Sequence, residues 1–142
     1  MEGKGSLQDK TQIIRSGMDE LCSISKKIYE ENNPYLHARF ELIMGLGLLF
    51  NGDNMLAVCF LNASRRKWDT MDEFSDLPRK TSVYYNLGLA FSTMEGLSSK
   101  TTYIKAAIEH LEYSKRLFNK LRDSEREYTC DIIINNLKHK HN

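Results

Sequence analysis

Catalysis needs several polar groups aimed into one pocket, and few residues of this chain could supply them. His37 and Glu41 stand four apart on one face of an apparent helix, the spacing of an acid–base pair or of two metal ligands. Two ligands do not make a metal site, and the same spacing suits an i,i+4 hydrogen bond on a helix surface, which is the reading taken here. His110, with Glu109 and Glu112, reads as part of a solvated helix face, and His139 and His141 lie in a polar tail with no role assigned. Cys22, Cys59 and Cys130 are far apart and form no Cys-x-x-Cys pair, so neither a disulfide framework nor a zinc site is indicated. Each falls on or near an apolar stripe, where free cysteine behaves as a small hydrophobe, and none has the neighbouring histidine and cationic surroundings of a nucleophile. Gly45-Leu46-Gly47 lies inside an apolar helix and not between strand and helix, so it is no phosphate cradle. The expectation is a protein with no catalytic residue, no metal and no cofactor.

The charged residues point the same way. Arg65-Arg66-Lys67 and Lys115-Arg116 stand near helix ends, where cations complement the helix dipole. The acidic group Asp69, Asp72, Glu73 and Asp76 follows the first of them, which argues against a nucleic-acid interface. A formal net charge of +1, with 41% hydrophobic and 27% charged residues over 142 residues, describes one globular domain with a core of its own. No apolar run approaches the ~18 residues of a membrane span, and no apolar segment follows Met1-Glu2-Gly3-Lys4. The expected location is intracellular, cytoplasmic or nuclear, with no membrane partner.

The elements that would position these residues are helices, since alternating strand patterns are almost absent. Ser6 and Asp9 read as a capped start, and a stripe through Ile14, Met18, Leu21 and Ile28 carries a helix over about 7–31. Asn32-Asn33-Pro34 ends it and opens a second helix that is apolar on all sides, the expected buried centre. Asn51-Gly52-Asp53 turns the chain into a third helix, so that 35–71 forms a hairpin. Asp76-Leu77-Pro78 opens a fourth helix and hydroxyl residues after Gly96 a fifth, giving a hairpin over 79–121. Ser124 and Glu127 read as the capping box of a sixth helix over about 124–138, with a frayed tail beyond. Trp68, the one tryptophan, stands at a helix end, where it could pack in the core or anchor a partner.

Within the second hairpin, Tyr84, Leu87, Gly88 and Phe91 fall at i, i+3, i+4 and i+7, and Ala107, Leu111 and Ser114 at i, i+4 and i+7. This pattern resembles the tetratricopeptide repeat, with a lengthened internal loop. The first hairpin is similar in weaker form through Leu46-Gly47, Phe50, Ala57, Leu61 and Ser64. An alternative register on Gly45 removes a two-residue gap but puts Glu41 where the family has a large apolar residue, so Gly47 is the preferred crossing glycine. The resemblance implies an all-α domain of about six antiparallel helices in a short right-handed superhelix, with the first and sixth helices as caps.

It also implies a binding function. First helices of successive hairpins line a concave face in that family. The corresponding positions are Tyr85, Asn86, Leu89, Ser92 and Thr93 in the better repeat and Met44, Gly45, Leu48, Asn51 and Gly52 in the weaker one. Asn86 matches the family asparagine that grips a ligand backbone, and the weaker repeat has no counterpart to it. The expected activity is that of a scaffold or adaptor taking a partner peptide or amphipathic helix through a largely apolar contact. The alternatives are an obligate subunit of a larger complex and, more remotely, a nucleic-acid-associated helical protein.

Overall fold

Prolines, a glycine and short polar side chains set nearly every helix boundary. The computed structural model describes residues 2–72, 75–94 and 100–140, with side chains from residue 9 in the first helix and from 102 in the fifth. The helices are α1 (Glu2–Glu30), α2 (Pro34–Phe50), α3 (Asn54–Asp69), α4 (Leu77–Thr93), α5 (Lys100–Lys120) and α6 (Ser124–Lys140), and no strand occurs among the described residues. The protein is all-α, as expected. Asn33 caps α2 by accepting from the Leu36 amide at 3.2 Å, with Pro34 at the first helical position. Gly52, at φ 83°, makes the tight turn that presents Asp53 to the Leu56 amide as the cap of α3. Asp76 caps α4 through the Arg79 amide.

Three boundaries differ from expectation. α1 is already helical at Glu2, so Ser6 and Asp9 lie inside it and do not start it. The cap of α6 is Asp123, which accepts from the Arg126 amide at 3.1 Å, and not Ser124; the turn before it holds Arg122 at φ 58°. α6 continues through Lys138 to Lys140. The turn expected at Gly96 lies outside the described residues.

Each helix packs on the next in sequence, and α2 also reaches α4. Ala38 and Leu42 of α2, Leu61 and Trp68 of α3, and Val83 and Leu87 of α4 form one core cluster. α5 and α6 build a second from Ile104, Ala107, Leu111, Cys130, Ile134 and Leu137, with Tyr85 and Phe91 of α4 against it. Trp68 is thereby a core residue, 1% exposed, donating from Nε1 to Ser64 Oγ at 3.0 Å and meeting Tyr35 edge-on.

The two hairpins share one crossing. A Cβ on Gly88 would lie 2.6 Å from Leu111 Cγ, and one on Gly45 would lie 2.6 Å from Leu61 Cγ. Beside these contacts, Ala57 matches Ala107 and Ser64 matches Ser114, all 0% exposed. The crossing glycine of the first hairpin is therefore Gly45 and not Gly47, whose Cβ would meet Met18 of α1 instead. The obstacle to this register was Glu41, and its burial has a local solution. Lys67 Nζ donates to both Glu41 oxygens at 2.6 and 2.9 Å, and Tyr29 OH to one of them at 3.1 Å. A buried carboxylate is tolerable when paired and hydrogen-bonded.

Candidate functional site

α4 presents the expected concave positions, and most of them already have contacts within the chain. Tyr85 is half-buried, edge-on to Phe118 at 5.6 Å, and burial pushes its phenol pKa up. Asn86 Nδ2 donates to the Ser82 carbonyl at 2.8 Å, which turns the amide along its own helix. Ser92 and Thr93 donate to the carbonyls of Leu89 and Ala90, and Asn54 Nδ2 donates to Thr93 Oγ1 at 2.7 Å. Leu89 is half-buried. What stays open beside them is a groove of about 320 Å³ between α4 and the α5–α6 turn, lined by Pro78, Ser82, Tyr85, Asn86, Phe118 and Arg126.

The corresponding positions of α2 are more deeply covered. Met44 is 4% and Leu48 9% exposed, and Gly45 is filled by Leu61, so these serve packing between α2 and its neighbours. Asn51 ends α2, its Nδ2 3.6 Å from Met18 Sδ, and Gly52 is exposed in the turn. The shift follows from the Gly45 register, which rotates Met44 and Leu48 toward the hairpin core.

Apolar surface is left uncovered elsewhere, in a groove along the seam between α1 and α2. Ile14, Met18 and Leu21 face Ile43, Leu46 and Phe50 across a groove of about 400 Å³. Ile43 is 47% and Phe50 51% exposed, so α2 is apolar all round without being buried all round. Sequence reasoning missed this seam. Its signal was an α2 with more apolar surface than two flanking helices can cover.

The residues with chemical potential are occupied structurally. His37 Nε2 donates to the carbonyls of Ile28 at 3.0 Å and Glu31 at 2.7 Å, closing the C-terminal end of α1, so the expected bond to Glu41 does not form. Tyr29, which donates to Glu41, has its pKa pushed up to about 12 by burial and by the carboxylate. His110 is half-buried and not solvated: its ring stacks on Phe91 at 5.6 Å, beside Tyr84 at 5.5 Å. Burial, then the charge of Arg65, lowers its pKa. Tyr84 OH donates to Asp69, which also pairs with Arg65 and Lys80. Cys130 is buried beside Ser114 Oγ, and burial raises its thiol pKa, whereas Cys22 and Cys59 are exposed, contrary to the core placement expected for them.

Among the described residues no three His, Cys, Asp or Glu side chains converge as metal ligands, and no helix is long and apolar enough to cross a membrane. The geometry offers shape and apolar surface, with polar groups largely satisfied within the fold. No protein-family model, curated protein or solved structure matches the chain.

Proposed function

We propose that the chain is a single tetratricopeptide-like domain, a short right-handed superhelix of helical hairpins that works as a protein-interaction module. The observation that carries the reading is the repeated crossing: Gly45 against Leu61 and Gly88 against Leu111, each flanked by a fully buried alanine and serine at matching positions. A helical array of this kind presents its first helices on one side and holds a partner peptide or helix there. The proposed contact residues on α4 are Tyr85, Asn86 and Leu89, with Ser92 and Thr93 at the end of the helix. On α2, Met44 and Leu48 act beneath the surface by shaping it, and with Gly45 as the crossing glycine Asn51 no longer stands at the position equivalent to Ser92. Nothing in this reading calls for a catalytic group or a cofactor, and the compartment proposed is intracellular.

The test substitutes Tyr85 and Leu89 together by Ala and titrates the variant calorimetrically with the protein that co-purifies with this chain. Interface hot spots cost about 2–4 kcal/mol on truncation, so affinity should fall at least tenfold, with helicity kept. Lys105→Ala with Glu109→Ala, both exposed on α5, should leave it unchanged. The reverse result puts the partner on the outer face and refutes the proposal. An obligate subunit is the second reading, favoured by exposed Ile13, Ile24 and Ile43; a native mass that never resolves to the monomer would establish it.

A further inference from the structure

α1 carries the apolar stripe of a second helix, and among the described residues no first helix lies on that stripe. In α3 a small residue, Ala57, is followed four residues on by Leu61 and seven further by Trp68; Ala107, Leu111 and Phe118 repeat this in α5. Gly17, Leu21 and Ile28 have the same spacing in α1. They also stand at the same place in the helix: Leu21 is nine residues before the end of α1, Leu111 nine before the end of α5 and Leu61 eight before the end of α3. The helix that follows is built alike as well, with the crossing glycine eleven residues past its first residue in both α2 and α4.

Burial separates α1 from its counterparts. Ala57, Leu61, Ala107 and Leu111 are all 0% exposed, because α2 lies on α3 and α4 on α5. In α1 no residue from 9 to 30 is buried, and a Cβ on Gly17 would meet nothing within 4 Å. The groove beside it, walled by Ile14 and Leu21 on one side and Ile43 and Phe50 on the other, runs on past Ile24 and Ile28 to Arg39 of α2, adding about 300 Å³.

We infer that this groove takes an amphipathic helix of a partner protein, lying antiparallel to α1 and alongside α2 as the first helix of a third hairpin. The inference rests on the helical-hairpin reading above but concerns a different surface from the α4 groove. α2 specifies the occupant by doing the same for α3. It is 17 residues long, sets a glycine over a leucine, and touches the next first helix. The occupant is a helix of about that length, with Gly or Ala over Leu21 and apolar residues one turn to either side. Arg39 lies over the Tyr35 ring at 5.6 Å, and no carboxylate pairs with it among the described residues. It faces the occupant's first turns, where an acidic residue also suits the helix dipole. In a second copy α2 and α4 are seated on α3 and α5, and α6, also 17 residues long, carries Asn135 eleven residues past its first residue, where α2 and α4 carry their crossing glycine.

The test uses the intact protein and a fluorescent peptide of residues 76–93, the α4 segment that performs this task on α5, carrying Arg79→Glu to meet Arg39. Saturable binding is expected. It should weaken at least tenfold when the peptide's glycine is replaced by leucine, and at least tenfold in the protein variants Leu21→Asp and Ile43→Asp, whose sites are exposed enough to keep the fold. Protein with Tyr85→Ala should bind as the parent does. Absence of binding, or binding indifferent to Leu21→Asp and Ile43→Asp, overturns the inference. If Tyr85→Ala alone abolishes it, the peptide sits in the α4 groove, and the inference falls while the proposed function stands. A sedimentation dimer that Leu21→Asp converts to monomer gives the groove to a second copy and overturns it equally.

Discussion

Alanine at Gly45 and at Gly47 should change stability in opposite directions, although the two glycines are a single turn apart or less on one helix. At Gly45 the new Cβ would sit 2.6 Å from Leu61 Cγ and 2.7 Å from Cδ2, about 1 Å inside ordinary carbon contact. Leu61 is 0% exposed and held among Ala38 and Trp68, so it has little room to move, and overpacking of this kind costs about 1–3 kcal/mol. The better helix propensity of alanine returns roughly 1 kcal/mol. The net is a loss of about 1–2 kcal/mol. At Gly47 the Cβ would meet Met18 Sδ at 2.7 Å, but Met18 is an unbranched side chain in an open groove and can turn aside. Most of the propensity gain then survives, about 0.5–1 kcal/mol. Urea unfolding followed by circular dichroism measures both, and a chain of this size should show roughly 3–4 °C in Tm per kcal/mol. Gly88→Ala should resemble Gly45→Ala, since Leu111 and the Ala107 carbonyl crowd it at 2.6 and 3.3 Å. A Gly47→Ala protein less stable than Gly45→Ala would refute the register and the crossing built on it.

Lys67→Met should destabilise by about 2–3 kcal/mol, because it strands the 5% exposed carboxylate of Glu41, with the solvent access of Lys67 keeping the loss at the low end. Adding Glu41→Leu should recover most of it, and a double variant no more stable than Lys67→Met alone would contradict the pairing. His110 is neutral in the fold below the usual histidine value of 6.5, so its contribution is present above that pH and lost as pH falls through the lowered folded value. Denaturation of His110→Phe should therefore show a flatter stability profile than the parent as pH falls below 6.5; identical profiles would place the titration elsewhere.

The starts of α2, α3 and α4 were legible because their signals are local. Asn33-Pro34, Gly52-Asp53 and Asp76-Leu77-Pro78 each carry cap and turn chemistry within a few residues. The register of the first hairpin was not, because what makes Glu41 acceptable comes from Tyr29 on α1 and Lys67 on α3. His110 was misread for the same reason: its helix shows glutamates around it, while the rings that bury it belong to α4. Of the site, periodicity found the packing stripe of α4, with Leu87 at 0% exposure, and thereby the opposite face. It could not show that Tyr85 rests on Phe118, that Asn86 is turned back to Ser82, or that Cys22 and Cys59 stand free of the core.

Hydrogen exchange of the protein alone and in complex with its co-purifying partner tests the binding-module account most directly. Backbone amides of fully packed helices exchange slowly in either state, and a bound helix or peptide adds protection only to the face it covers. Added protection should appear in α2, α4 and the facing side of α1, with α3 and the outer turns of α5 unchanged. Added protection confined to α3 and α5, with none on α2 and α4, would contradict the account.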